Sequence, residues 1–353
     1  MGNVSIVIPN WNGRELLERF FASVVDAAEH YRAESNSEVE VVVIDDASTD
    51  DSREWLVSNY GGQEFVRIIK LEKNLGFLCA VNGGFASAKY PIVFLLNSDV
   101  SVEPDCIGPL IDHFEDESIF AVCCHSNRIG TDRLDAGGKV GTFERGFWRV
   151  FLNYDVMPGE ADNELISFFG SGGYTAYDRE KWNRLGGFQE CLSPNYWEDV
   201  EISYRAWKRG WKVLYEPASV VSHLGSVSIK KSTSKGELDI VSERNRLLMT
   251  WINLHDPGMF ASHVFWVFAK SLGSVVSFNW NFLRSLSRSF AMLGRVRKAR
   301  RIERQAAIVS DRELAYRFKA LSLVPDIHIL DSYEAEIAFA ERKSIDAAKP
   351  NER

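Results

Sequence analysis

An α/β protein built on a mostly parallel, Rossmann-like sheet flanked by helices is the fold class the sequence predicts. Three observations predict it. Strand-like apolar runs alternate with helical periodicity about every thirty residues, the rhythm of βαβ units. The run Ile92 to Leu96 is wholly apolar, as a strand covered on both faces requires. Polar clusters follow the strand-like runs, at Asn10-Trp11-Asn12, Asp45-Asp46, Asn74 and Asn97-Ser98-Asp99. Right-handed crossovers bring such clusters to one edge of a sheet, where open α/β sheets bind ligands.

Each element follows from local pattern. Val4 to Pro9 reads as the first strand, Asn10 to Gly13 as a turn, and Arg14 to Glu29 as a helix with Leu16, Leu17, Phe20, Phe21, Val24 and Val25 on one face. Val39 to Ile44 is the second strand and runs into Asp45–Asp50, which leads into a helix through Trp55 and Leu56. Phe65 to Leu71 is the third strand; a helix of small residues, Cys79 to Lys89, precedes the fourth at Ile92 to Leu96. Pro104 to Phe114 is predicted helical and Ile119 to Cys124 a strand. Asp99 and Ser101 also suit the cap of that helix, a structural reading that competes with a ligand role.

From Asn127 to Glu164 glycines break the rhythm, and Phe147 to Leu152 is the one strand expected there. Leu165 to Phe169 is predicted to be a strand entering Gly170-Ser171-Gly172-Gly173, glycines that either admit a ligand close to the backbone or form an ordinary turn. Arg179 to Leu185 is a short helix. Tyr196 to Trp211 holds a helix of about three turns closed by Gly210. Glu198 and Asp199 stand in its first turn, where carboxylates complement the helix dipole whether or not they do chemistry. Lys212 to Tyr215 is a strand, and His223 lies beyond it, as a loop residue or a ligand.

The composition is that of an ordinary globular protein, with 353 residues, 45% hydrophobic and 25% charged. A net charge of −8 argues against a general nucleic-acid binder. The charge is uneven: Arg284 to Arg304 holds eight basic residues against Glu303 alone, a local +7 that leaves −15 on the rest. This stretch reads equally as a solvated helix face or as a surface for anionic lipid. Five cysteines without metal spacing suggest reduced thiols in a cytoplasmic protein, and the N-terminus, already strand-like at Val4, reads as free of a signal peptide. No GxGxxG follows the first strand and no GxxxxGK[ST] occurs.

Taken together, Ser5-Ile-Val-Ile-Pro-Asn-Trp-Asn-Gly13, Val42-Val-Ile-Asp-Asp-Ala-Ser-Thr-Asp50, Asn74-Leu-Gly-Phe77, Leu95-Leu-Asn-Ser-Asp99, Gly186-Gly-Phe188, Trp197-Glu-Asp-Val-Glu201 with Arg205 and Gly210-Trp211, and His223 resemble the inverting glycosyltransferase family 2, with its GT-A fold. The subgroup with this NLGF and Asn-x-Asp pattern looks like bacterial rhamnosyltransferase-type enzymes. The resemblance spans about residues 3 to 250. It implies a GT-A catalytic domain over 1–250, with a donor half to about 126 and an acceptor half over 127–250. A helical extension over 251–343 and a disordered tail at 344–353 complete the expected organisation.

The resemblance implies a metal-dependent transfer of sugar from a nucleotide-diphosphate sugar to a glycan acceptor, lipid-linked or part of a surface polysaccharide such as O-antigen, capsule or cell wall. Pro9, Trp11, Asp46, Asn74 and Gly76 would bind the nucleotide, with Asp45 a structural neighbour. Asp99 and His223 would ligate Mn2+ or Mg2+. Asn97, Ser98, Gly172, Gly173, Trp197 and Glu198 would face donor or acceptor sugar, and Asp199 would be the general base. Two departures stand out: Asn97 replaces the first carboxylate of the usual Asp-x-Asp, and Glu201 replaces a usual Asp and is expected to bond locally.

Met259 to Trp280 is apolar but interrupted by His263, Lys270 and serines, too polar for a clear transmembrane helix. It is expected either to pack on the catalytic domain or, with the basic stretch after it, to meet an anionic membrane surface through 259–304, which would place the protein in the cytoplasm, peripheral at the inner face of the plasma membrane. The oligomeric state is left open. Two other function classes compete: a nucleotidyltransferase, which would want a triphosphate loop that Pro9-Asn-Trp-Asn-Gly13 does not offer, and a non-catalytic sugar-nucleotide-binding scaffold, which the missing first carboxylate would suit.

Overall fold

A computed structural model describes residues 2–131, 133–157, 164–225 and 234–347. Its centre is a nine-stranded mixed sheet. The strands are β1 (Val4–Asn10), β2 (Val39–Asp45), β3 (Val66–Lys70), β4 (Ile92–Leu96), β5 (Val100–Val102), β6 (Ile119–Arg128), β7 (Leu134–Ala136), β10 (Tyr174–Asp178) and β11 (Lys212–His223). Their order is β3-β2-β1-β4-β10-β6-β11-β5, with β7 beside β6. Strands β3, β2, β1 and β4 are mutually parallel, while β10 is inserted antiparallel between β4 and β6.

The unbroken apolar runs have a physical cause. Val7, Val42, Ile44, Val93 and Leu95 face one core, shared with the helix Phe77–Ser87; Ile6, Ile8, Val41, Val43, Phe94 and Leu96 face the other, shared with the helix Arg14–Ser35. Both faces of each strand are therefore buried, and neither can be polar. Gly84 lets the first of these helices lie on β1, since a Cβ there would come within 2.4 Å of Val7.

A second, three-stranded antiparallel sheet orders β12-β9-β8, from β8 (Gly138–Glu144), β9 (Phe147–Asp155) and β12 (His328–Leu330). The sequence signals only part of β9 within it. Leu165 to Phe169 is not the expected strand. Its backbone ties both sheets together instead: Phe168 N–H donates to Lys139 O on β8 at 2.8 Å, while Ser167 N–H donates to Val213 O and Leu165 O accepts from Tyr215 N–H on β11. Only an isolated bridge joins Ile166 to Leu214, and the strand follows the glycines, at Tyr174–Asp178.

The helix-cap reading of Asp99 also fails. The short strand β5 comes first, and the helix Ile107–Asp112 begins after Cys106. Strand β11 runs well past Tyr215, through an irregularity at Glu216/Val220, to end on His223.

After β11 come the helices Lys235–Asn253, Pro257–Val276, Trp280–Phe290, Leu293–Ala306, Asp311–Leu321 and Tyr333–Ala347, with β12 between the last two. Asp311 anchors them: its buried carboxylate meets Lys208 Nζ and Tyr204 Oη at 2.6 Å and accepts the backbone N–H of His255 and Asp256. The apolar stretch 259–280 breaks at Phe278, whose φ is 53°. The last helix reaches Ala347, into the segment expected to be a tail; residues 348–353 lie outside those described.

Candidate active site

Strand β4 ends where the expected sugar and metal residues begin. Asn97 N–H donates to Gly173 O at 2.9 Å. The side chain of Asn97 packs on Gly173 so closely that a Cβ there would lie 2.6 Å from Asn97 Nδ2. Gly173 is thus required by packing, not by its φ. Ser98 lies beside Gly13, its Oγ 3.5 Å from where a Cβ on that glycine would stand.

Asp99 and His223 meet because of strand register. Strands β11 and β5 pair antiparallel with His223 opposite Val100, and Leu224 N–H donates to Asp99 O at 3.1 Å. His223 Nε2 is 3.5 Å from Asp99 Oδ1, and its Nδ1 is 2.9 Å from Asp135 Oδ2. Burial pushes the imidazole pKa down, but the two carboxylates outweigh it and lift the value to about 9. Burial likewise raises Asp135, and His223 more than reverses it. Asp135 lies on β7 in the glycine-rich stretch, and no local pattern marks it.

The other pole of the site is the start of the helix Glu198–Lys208. Gly172 N–H donates to Asp199 Oδ2 at 3.2 Å, and Val200 N–H to Asp199 Oδ1 at 2.7 Å. Gly172-Gly173 therefore bridges Asp199 to Asn97. Burial raises the pKa of Asp199, against the two N–H donors and Lys139. Burial, then the charge of Asp199, push Glu198 up to about 8. Glu198 Oε2 is buried without a hydrogen-bond partner among the described residues.

This helix start is strained and clamped. Tyr196 and Trp197 both hold positive φ, 71° and 72°, in bulky side chains that avoid that region. The buried Asn245 amide holds the turn, donating to Leu192 O, Asn195 O and Tyr196 O at 2.5–2.8 Å. Arg205 pairs with Glu201 at 2.7 Å and reaches the carbonyls of Leu185 and Gly187. Glu201 also accepts from Asn253, so it bonds locally, as expected. Trp197 is buried against Phe151.

The residues expected to meet the nucleotide gather around the ends of β1 and β2. Pro9 is buried, while Trp11 is 44% exposed beside it. Asp46 accepts from Leu75 N at 2.7 Å and Gly76 N at 2.8 Å, so its carboxylate first of all fixes the 74–76 loop. Asn74 Oδ1 accepts from Gly76 N at 3.1 Å, and Gly76 holds a φ of 84°. Asp45 is buried, accepting from Asn10 and Ser48.

Two further residues border the site. Lys139, on β8, is buried with Nζ 2.5 Å from Asn153 Oδ1. Burial lowers its pKa, opposed by Cys123, Asp135 and Asp199. Phe151, on β9, is exposed next to Trp197. Neither carries a motif; a lysine and a phenylalanine alternating through strands look like any others.

The family model described as Glycosyl transferase family 2 matches residues 5–182, half of the chain. Among curated proteins, the Probable N-acetylgalactosaminyltransferase 9 of Caenorhabditis elegans is 26% identical over 197 residues, covering 52% of this chain and 34% of that protein. The Polypeptide N-acetylgalactosaminyltransferase 13 of Homo sapiens is 24% identical over 258 residues, covering 70% and 46%. The chain thus spans between about a third and a half of the length of these relatives. Among solved structures, GalNAc-T7 with UDP, GalNAc and Mn2+ matches with a TM-score of 0.58 at 22% identity, over 72% of this chain and 49% of that one. S. aureus TarS 1–349 in complex with UDP-GlcNAc matches with a TM-score of 0.54 at 14% identity, over 94% and 97%. At such identities the likeness shows the fold, which is GT-A.

Proposed function

The chain belongs to glycosyltransferase family 2, and on that premise we propose that it moves a sugar, with inversion, from a nucleoside-diphosphate sugar to a hydroxyl of a glycan acceptor. The observation that carries the proposal is the pairing of two poles across Gly172-Gly173. Asn97, Asp99 and His223 stand on one side and Asp199 with Glu198 on the other.

A divalent cation, Mn2+ or Mg2+, supplies positive charge against the leaving diphosphate when bound. Asp99 and His223 are the residues to hold it. Their donor set fits: a carboxylate oxygen and an imidazole nitrogen 3.5 Å apart, with Asp135 on the far nitrogen of the ring. Among the described residues no group of three or more His, Cys, Asp or Glu is arranged for a metal, so a cation held by Asp99 and His223 would need further oxygen ligands from the donor. Asn97 then stays with Gly173 and the donor sugar, and Ser98 with the loop after β1.

Asp199 takes the proton of the acceptor hydroxyl as that oxygen attacks C1 opposite the diphosphate. Such base assistance is worth roughly 10²–10⁴-fold. Glu198, whose carboxyl burial and the charge of Asp199 push up, faces the sugar with an Oε2 that has no hydrogen-bond partner among the described residues. Trp197 closes the pocket wall. Pro9 and the exposed Trp11 take the base, Trp11 by stacking. Asp46, Asn74 and Gly76 shape the loop that meets the ribose or base.

The acceptor we propose is lipid-linked or a surface polysaccharide of the O-antigen, capsule or cell-wall kind, met at the inner face of the plasma membrane by a peripheral, cytoplasmic protein. Support comes from the helix Pro257–Val276, long and apolar enough to cross a membrane. Its inner face bonds to the body instead: His263 Nδ1 is 2.7 Å from Gly146 O, and Trp251 Nε1 donates to His263 Nε2 at 2.9 Å. Its outer face shows Val264, Phe265, Phe268, Leu272, Val275 and Val276. A helix held on one side and apolar on the other lies in a membrane surface rather than through it.

The names of the relatives put UDP-N-acetylhexosamines first among donors to try. The test is a panel of UDP-, GDP- and dTDP-sugars scored by nucleotide release with Mn2+ or Mg2+ present. Metal-dependent release from one donor class supports the reading; release from none, with or without added glycan, contradicts it.

A further inference from the structure

The second sheet turns one face toward Asp199. On β9, Trp148 and Val150 are buried while Arg149 and Phe151 are exposed, and Phe151 sits where the register with β8 shifts, between the pairs Leu152–Val140 and Arg149–Thr142. Phe151 is 60% exposed. Its ring stands nearly perpendicular to Trp197, 5.3 Å between centroids, and to Phe169, 5.8 Å away, each at 81°. Trp197 lies two positions before Asp199, and Phe169 leads into Gly172, whose N–H holds the Asp199 carboxylate. The ring is thus fixed between both walls of the pocket that contains Asp199, and most of its surface remains open.

A polar pair lies behind Phe169, one of the two rings that brace Phe151. The register of β8 and β9 sets Lys139 opposite Asn153. Lys139 Nζ donates to Asn153 Oδ1 at 2.5 Å and sits 5.6 Å from the Phe169 ring. A single exposed Phe is ordinary on any surface. One braced edge-on by two buried aromatics that lead into the turn holding Asp199 is not accounted for by folding alone.

We propose that Phe151 is the platform of an acceptor subsite for a pyranoside. The apolar C–H face of the sugar ring lies on the open face of Phe151, between the walls made by Trp197 and Phe169. The sugar's free hydroxyl then points at Asp199. This assignment rests on the glycan-acceptor reading above and gives that acceptor a chemical class: a hydroxyl-rich ring with one apolar face, rather than a peptide.

The test is binding of methyl glycosides (of glucose, galactose, N-acetylglucosamine and rhamnose) to the full chain with UDP and Mg2+, measured by saturation-transfer NMR and calorimetry. At least one is expected to bind. Phe151→Ala should raise its dissociation constant about tenfold, Phe151→Tyr should restore it to within about twofold, and UDP affinity should stay unchanged. Equal affinity in Phe151→Ala overturns the proposal. So does binding of Ser/Thr peptides that depends on Phe151 while no glycoside binds. The two readings fail separately: full turnover in Asp199→Asn with glycoside binding still dependent on Phe151 sinks the base and leaves the platform standing.

Discussion

His223 Nε2 lies 3.5 Å from Asp99 Oδ1, and the contact is made by register: the last residue of β11 is paired with the first residue of β5. Two residues far apart in the chain are brought together by backbone hydrogen bonds, before any side chain chooses a partner. Asp135 then fixes the ring from the other side at 2.9 Å.

Asp135→Asn is therefore expected to weaken Mn2+ binding. It removes the anion that orients the ring and sharpens its basicity, an outer-shell role typically worth 10–100-fold in affinity. Electron paramagnetic resonance titration of Mn2+ with UDP present measures it. Unchanged affinity with a folded protein would remove Asp135 from the account.

Gly173→Ala should abolish turnover while leaving the fold largely intact. The new methyl meets Asn97 Nδ2 at 2.6 Å and must push aside either that side chain or the Gly172–Asp199 hydrogen bond. Circular dichroism reads the fold and nucleotide release reads the activity. Wild-type turnover in this variant would mean that the bridge between the poles does not matter.

Acid should loosen the helix Pro257–Val276. Burial depresses the pKa of His263 from 6.5 to about 4, against the help of the Gly146 carbonyl. Burial and Lys208 depress His255 similarly, to about 4. A depressed base binds protons more weakly folded than unfolded, so its contribution is complete above pH 6.5 and is lost as the pH falls toward 4. For His263 alone this is about 3 kcal/mol. Limited proteolysis across pH 7 to 4 should show cleavage within 257–276 rising in that window, with a flatter profile in His263→Gln.

Sedimentation with anionic liposomes tests the membrane surface. Phe265→Asp with Phe268→Asp should abolish binding, and charge reversal of Arg297, Lys298 and Arg301 should reduce it in a salt-sensitive way. These three are exposed, whereas Arg300 donates to Trp251 O at 2.7 Å and would report on folding instead. Binding that survives both sets of changes would sink the membrane reading.

What the sequence discloses follows from what is local. Strands β1, β2 and β4 are legible because burial on both faces leaves no choice of residue, and the polar clusters after them are legible because the apolar run must stop. Asp135, Lys139 and Phe151 are not. Asp135 lies on a three-residue strand at β6, Lys139 and Phe151 on an antiparallel sheet whose alternation is short and glycine-broken, and their meaning depends on pairing with β6, with β9 and with the helix at Trp197. The stretch Leu165 to Phe169 misleads for a related reason: it is apolar because it is buried between two sheets, not because it is a strand of either. Trp197 and Asn245 show a third limit. The positive φ of one and the amide clamp of the other are visible only once the turn is folded.

The most direct measurement is transfer by Asp199→Asn with the donor found by the panel and a glycan acceptor. The side chain keeps its size and its place beside Gly172 but cannot take a proton. Turnover is expected to fall by at least about 10²-fold with donor affinity within about twofold of wild type. Near wild-type turnover would contradict the assignment of Asp199 as the base and, with it, the two-pole reading of the site.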